Sequence, residues 1–525
     1  MRAPSIAGAA LTIAIVLLVA APVHAGQERP SAAASTAARV ATLLDANDLA
    51  AAQAAVDAAL RERPRDPLIQ NLAGVVAARH GRAPDAEARF REAIRLEPRY
   101  EAAYENLGRL LQEQSATVPD AADRALKVYR ALLRVAPSNA EGLFQAATLL
   151  ARRGEFAEAR ALVARLPAKV RGLARVLALD AVATAGARPA EAPPIVARLA
   201  ASSDLVEADL MSLSPAFDRL PDPDQAIALL EVLDERGLAS RDTLHRLGAL
   251  QLKAERYADA RDALERAAAG APTVPILMDL ARAAHKQGEG KAALGYLAHA
   301  RDLEPDNAGV HFFFGLVCVE LDLGAEAYES LKRAVALDPD NPYVNYAMGA
   351  VSIHRHEPSE ALPYFDAYIR LKPEDPRGRF ARGAARFYSN QLEAARPDLE
   401  EASRHPETAA GAHYFLGRIA RQLHDLPGAR RELDRALTLQ PQLAEAWAEL
   451  GLVQMRQDDV DAAQRSLDRA LAIDPDNYEA TMNLATLYAR TRDPRREEQA
   501  ARLAALQQAR AARAQEFLRI VQVVP

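Results

Sequence analysis

Apolar positions along most of the chain recur at helical spacing, three and four residues apart, in stretches of 12–15 residues. These stretches come in pairs. Each pair closes on a proline that follows leucine and an acidic or polar residue, as in Ala336-Leu337-Asp338-Pro339. Proline lacks an N–H and disfavours helix in the residue before it, so it stops a helix. Pro305, Pro339 and Pro373 are 34 residues apart, as are Pro441 and Pro475, and Pro64 and Pro98. The loop Asp338-Pro339-Asp340-Asn341-Pro342 ends one helix, offers Asn341 as the next N-cap and restarts with proline in the first turn.

A second set of positions keeps the same register. Gly74, Gly108, Gly248, Gly315, Gly349, Gly383, Gly417 and Gly451 each fall in the middle of a first helix. An interior glycine costs about 1 kcal/mol relative to alanine, so its recurrence requires a reason, and the close approach of a second helix supplies one. Twelve residues on stand Ala86, Ala260, Ala327, Ala361, Ala395, Ala429 and Ala463. Seven further on stand Ala93, Ala267, Ala334, Ala402, Ala436 and Ala470. Larger residues such as Phe90, Leu331, Phe365, Leu433 and Leu467 fill the gap between the two helices.

The glycine or alanine at mid-helix, the alanine pair and the terminal proline resemble the tetratricopeptide repeat family, in an exported bacterial type. The resemblance implies an all-α fold, an α-solenoid in which antiparallel helix pairs stack into a right-handed superhelix. Clear units span about 67–139 and 241–477, with weaker copies at 33–66 and 140–167. The unit at 101–139 carries an insertion near Ser115–Pro119. The expected organisation is a signal peptide at 1–25, a flexible leader at 26–35 and an N-terminal repeat array at 36–167. Degenerate helical repeats or a joint follow at 168–240, then a C-terminal array at 241–493 and a capping helix with its tail at 494–525. Six prolines between Pro189 and Pro223 break the period in the joint.

The signal reading rests on Arg2, the apolar run Ile6–Ala21 and the break at Pro22 before Val23-His24-Ala25. It places cleavage after Ala25 and the mature chain in the periplasm or outside the cell. An N-terminal helix left uncleaved as an anchor is the alternative. No later run reaches membrane length.

Composition narrows the function. Half of the residues are apolar but only 5% are aromatic, so the apolar half is chiefly Ala, Leu and Val, suited to close helix packing. That continuity replaces the several separate domains that 525 residues at roughly 150 per domain would otherwise suggest. A net charge of −6 excludes a nucleic-acid coat and a polybasic membrane binder. The single Cys318 excludes an internal disulfide, and its register predicts a buried, inert thiol.

The scarce aromatics are concentrated. Residues 312–415 hold about half of the 12 Phe, 14 Tyr and single Trp. Phe312, Tyr346, Phe380 and Tyr414 each stand three residues before a register glycine, at intervals of 34. Tyr343, Phe387 and Tyr388 extend the same face. Arg418 and Arg421 flank it with Arg377, as do Arg282, His285 and Lys286 on the other side. The family resemblance implies that this stripe lines a concave groove, and aromatic and Arg side chains anchor protein interfaces. The expected ligand is a partner protein or an extended or helical peptide. The same rungs could instead pack as spacers against the next first helix. The carboxylate clamp of the family, a basic rung with Asn one residue after the glycine, is absent, since Leu316, Ala350, Ala384 and Arg418 occupy that second position.

Catalytic motifs are missing from the sequence. There is no G-x-S-x-G and no phosphate-binding G-x-x-x-x-G-K-[ST], and His354 and His356 read as a loop between helices, not as metal ligands. The expectation is an exported, non-catalytic interaction scaffold without metal, cofactor or nucleic acid. An accessory factor of envelope polysaccharide or secretion machinery, with a cryptic site in 168–240, remains the alternative, and self-assembly is a third reading.

Overall fold

The computed structural model describes residues 32–521, and side chains from 33 to 508. The signal peptide and most of the leader lie outside the described residues. Ala32–Ser35, expected as leader, already belong to the first helix, Ala32–Asp45, whose Ala33, Ala37 and Val40 are buried. The described chain is all-α: it is 77% helical, with 29 α-helices and no strand among the described residues.

Two compact units divide at Gly270. The first contains the hairpins Pro67–Arg79/Ala83–Leu96, Glu101–Gln114/Ala121–Val135, Ala140–Arg152/Phe156–Ala164 and Arg241–Lys253/Tyr257–Ala268. Residues 168–240 lie inside this unit. There the prolines cut the helices short, giving Pro193–Ala200, Glu207–Met211 and Ser214–Phe217. Leu199, Leu210, Phe217 and Leu230 from this segment are buried in one continuous core with the regular hairpins. The second unit contains seven hairpins, from Val274–Lys286/Gly290–Leu303 to Tyr478–Thr491/Arg496–Val521.

The hairpin joints follow one recipe. First helices are capped by Asp66, Asn139, Asn307, Asn341, Asp375 and Asn477, whose side chains accept from backbone N–H groups of the first turn. Asn341 Oδ1 accepts from Tyr343 N at 3.1 Å, as the proline-flanked loop predicted. Between the helices of most hairpins, one residue takes the left-handed conformation. His356 (φ 63°) does so in the turn after Pro342–His354, and Asp322, Asn390 and His424 do so in neighbouring hairpins. His356 is therefore a turn residue, and His354 Nε2 stands 3.2 Å from Asp322 Oδ1.

The glycine register is where the two helices meet. A Cβ on Gly74 would lie 2.5 Å from the Phe90 ring, on Gly349 2.6 Å from Phe365 and on Gly451 2.6 Å from Leu467. No side chain fits at these positions, which explains the glycine that helix propensity disfavours. At Gly108 the partner is Tyr129, displaced along the sequence by the insertion between Gln114 and Asp120. Cys318 is fully buried, and burial pushes its thiol up to about 12.

Candidate partner-binding groove

Because the glycine face meets the second helix, residues three before and one and four after each glycine lie on another face of the first helix. In the second unit this face carries the predicted rungs. They do not form one continuous ladder but gather in two patches.

Phe312 and Tyr346 are half-buried and line a cavity of about 290 Å³ with Leu316, Tyr343, Tyr368 and Arg377. Tyr343 is 54% exposed at its edge. The Tyr346 ring lies 5.1 Å from Tyr368 and 5.7 Å from Phe365, so this rung leans on its own second helix. Tyr368 stands where other repeats carry the second alanine. Gly378 makes room for it: a Cβ there would lie 2.7 Å from the Tyr368 ring. The Tyr368 hydroxyl donates to Asp375 Oδ2 at 2.6 Å, and Arg377 Nε donates to Asp375 Oδ1 at 2.9 Å. The Arg377 bonds hold the Asp375 carboxyl well below the usual carboxylate range, despite some burial. Burial, with the Asp375 bond, pushes the Tyr368 hydroxyl up to about 12. Sequence reasoning missed Tyr368, although its break in the alanine pattern was a visible signal.

The second patch joins Pro376–Tyr388 to Pro406–Gln422. Phe380 packs on the next repeat, where a Cβ on Gly411 would lie 2.8 Å from its ring. Phe387 is buried, and Phe415 sits among Phe380 (5.9 Å), Phe387 (5.4 Å), Tyr388 (5.7 Å) and Tyr414 (5.2 Å) in tilted and edge-on contacts. The Arg418 guanidinium lies over this cluster, 4.5 Å from Phe387 and 5.5 Å from Tyr414. Burial pushes the Tyr414 hydroxyl up to about 12. Tyr388 is 50% exposed. Phe380 and Phe387 thus act as spacers, while Tyr343 and Tyr388 present free ring surface.

The flanking bases are mostly engaged. Arg421, expected on the groove, is bonded to Glu449 of the next first helix, and both side chains are nearly buried. It joins two repeats and is not a free contact. Arg282 pairs with Asp279 at 2.7 Å, and His285 Nδ1 lies 3.3 Å from Glu320.

In the first unit the same face is polar. Asn106 donates to Asn71 Oδ1 (3.1 Å), Arg109 pairs with Glu141 (3.2 Å) and Gln112 donates to Gln145 Oε1 (3.0 Å), each bond linking successive first helices.

Glycine-registered helical hairpins with a lined first-helix face define an α-helical repeat protein built for contact with other chains. Two family models, both described as tetratricopeptide repeat, match residues 38–99, 121–174, 278–342 and 380–444, and 444–477. Together they span more than half of the sequence, and the chain belongs to the tetratricopeptide repeat family. Solved structures resemble it at low identity. The Cut9–Hcn1 complex of APC/C has a chain with 13% identity and a TM-score of 0.40, covering 87% of this chain and 96% of that one. Yeast Tom70 shows 16% identity and a TM-score of 0.33, over 82% of this chain and 98% of that one. Pseudomonas aeruginosa pilF shows 23% identity and a TM-score of 0.34, over 39% of this chain and 94% of that one. No curated protein matches this sequence. Among the described residues no helix is long and apolar enough to cross a membrane.

Proposed function

We propose that this chain is a non-catalytic scaffold that works outside the cytoplasm and holds a partner protein or peptide on the aromatic face of its second unit. The observation that carries the reading is the pairing of half-buried rings with the exposed faces of Tyr343 and Tyr388. Rigid, partly exposed aromatics beside a largely apolar cavity are the anchors of interfaces. Export is supported by the charged start, the apolar run Ile6–Ala21 and the small residues before Gly26.

The test is crosslinking in native envelopes followed by partner identification, with Tyr343→Ala and Tyr388→Ala as comparison chains. Both side chains are exposed, so the variants keep their unfolding temperature. The crosslinked partner disappears in the double variant. Undiminished crosslinking in a folded double variant refutes the groove. Recovery of a mature chain that starts at Met1 in the cytoplasmic fraction refutes the export.

A further inference from the structure

A second feature lies in the first unit, away from the aromatic face. The helices Phe156–Ala164, Ala174–Ala187 and Pro193–Ala200 enclose an open cavity of about 650 Å³. This lies within the span of about 300–1,000 Å³ usual for small-molecule sites. Its origin is in the sequence. Pro189 opens a 3-10 turn, Pro189–Glu191, and Pro193 starts a helix of only 8 residues. Among the described residues Ala157, Ala161 and Ala164 are therefore left exposed, and they face the cavity at helical spacing.

Four guanidinium groups, those of Arg160, Arg171, Arg188 and Arg198, line this space. Two carboxylates are near them. Glu191 takes both Arg160 (2.6 Å) and Arg188 (2.9 Å). Asp180, half-buried in the wall, accepts from the Thr184 hydroxyl at 3.3 Å. Arg171 Nε donates to the Leu166 carbonyl at 2.9 Å, which places the group without neutralising it. Arg198 is exposed and makes no ion pair with the described residues. Two positive charges are left over.

A cleft in the same unit gives the contrast. A cavity of about 420 Å³ is lined by Arg91, Arg95, Arg124 and Lys127. There Glu87 pairs with Arg91 and Arg124, and Glu92 pairs with Arg95. Glu87 and Glu92 share the helix Ala83–Leu96 with Arg91 and Arg95, and Glu87 reaches across to Arg124, as in a solvated ion network. Both cavities set two carboxylates against four bases, but those of the larger one come from two helices, the C-cap residue of a third and a loop, and Arg171 and Arg198 have no ion pair among the described residues.

We propose that this cavity binds a small organic anion bearing a phosphate group, held by Arg160, Arg171, Arg188 and Arg198, with Asp180, positioned by the buried Thr184, meeting a hydroxyl group on its uncharged part. Guanidinium forks match phosphate oxygens in geometry and charge. Burial raises the Asp180 carboxyl above its ordinary value, while the Thr184 bond and the arginines pull the other way.

The probe is pyrophosphate, titrated calorimetrically into the whole chain at low salt, with citrate at equal ionic strength as the competing polycarboxylate. The wild-type chain binds one pyrophosphate saturably and more tightly than citrate. Arg198→Gln, at an exposed position, weakens that binding about tenfold, the loss of one charge-assisted contact. Asp180→Asn, which removes a negative charge, tightens it. Circular dichroism melts show that both variants are folded. No saturable binding, equal affinity for citrate, or an unchanged affinity in the folded Arg198→Gln variant overturns the proposal. Neither variant touches the aromatic face, so partner crosslinking through Tyr343 and Tyr388 stands or falls separately.

Discussion

The two units use one register and two chemistries on the same helix face. In the first, Asn71, Asn106, Arg109, Gln112, Glu141 and Gln145 bond to one another along successive first helices. Those donors and acceptors are spent on the chain itself. In the second, Phe312, Tyr346, Phe380 and Tyr414 pack half-buried on their own or the next repeat, and Tyr343 and Tyr388 keep ring surface open. An aromatic ring can pack on one side and still offer the other, whereas a paired amide has less left to give. This difference is what the proposed partner-binding face of the second unit rests on.

The largest expected effect tests what holds the aromatic unit together. Asp398 is buried and accepts from Arg382 (2.6 Å) and Arg386 (2.6 Å), while Arg382 also pairs with Asp366. Asp398→Ala leaves two partly buried cations facing each other. Breaking such a pair costs about 3 kcal/mol, the lower end for a buried pair because both arginines reach water. In the first unit, Asn106→Ala removes one neutral hydrogen bond and costs about 1 kcal/mol. Chemical denaturation of the two variants checks this. Equal losses would break the contrast between a unit joined by dispersed amides and one joined by concentrated charge and rings.

The next effect is common to both units and sharpens the contrast by removing what they share. Gly74→Ala meets Phe90 at 2.5 Å and Gly349→Ala meets Phe365 at 2.6 Å. Overpacking of this kind costs about 1–3 kcal/mol. Gly295→Ala, inside the helix Gly290–Leu303 with no atom within 4 Å of the new Cβ, instead gains up to about 1 kcal/mol. Thermal unfolding of the three variants separates them. Similar losses at Gly74 and Gly349 show that the hairpin packing is shared and that the units differ at the groove.

This shared packing is the part that was legible in the sequence. The 34-residue period, the glycines and the residues sixteen further on, such as Phe90 and Leu331, are fixed by the distance between two helix axes, so spacing alone reveals them. The aromatic rungs were equally visible, but their roles were not. Whether Phe380 is a spacer depends on Gly411 in the next repeat, and whether Arg421 is free depends on Glu449, 28 residues away. Periodicity within one strip of sequence does not contain those pairings. The 168–240 segment was legible only as an interruption. Its short helices are set by prolines, but the convergence of Arg160 and Arg188 on Glu191 is a property of their packing.

The smallest effect is a difference in pH response. Burial raises the Glu105 carboxyl of the first unit, with the Asn139 bond opposing and Glu141 adding to the rise. The folded state then holds the proton more tightly than the unfolded chain does. That contribution is fully present below the ordinary glutamate value and is lost as pH rises through the folded one. Asp375 in the second unit is held low, first by its bonds to Arg377. Its contribution is present above the ordinary aspartate value of about 4 and is lost as pH falls toward the folded one. Glu105→Gln therefore gains stability that is largest at neutral pH and vanishes near about pH 4, by on the order of 1 kcal/mol or less. Asp375→Asn loses stability at neutral pH, and the loss shrinks on acidification below about pH 4. Denaturation midpoints of the wild type and the two variants, followed from acid to neutral pH, show the opposite trends. Parallel curves would mean that the polar and aromatic units differ in shape alone and not in how each holds its charge.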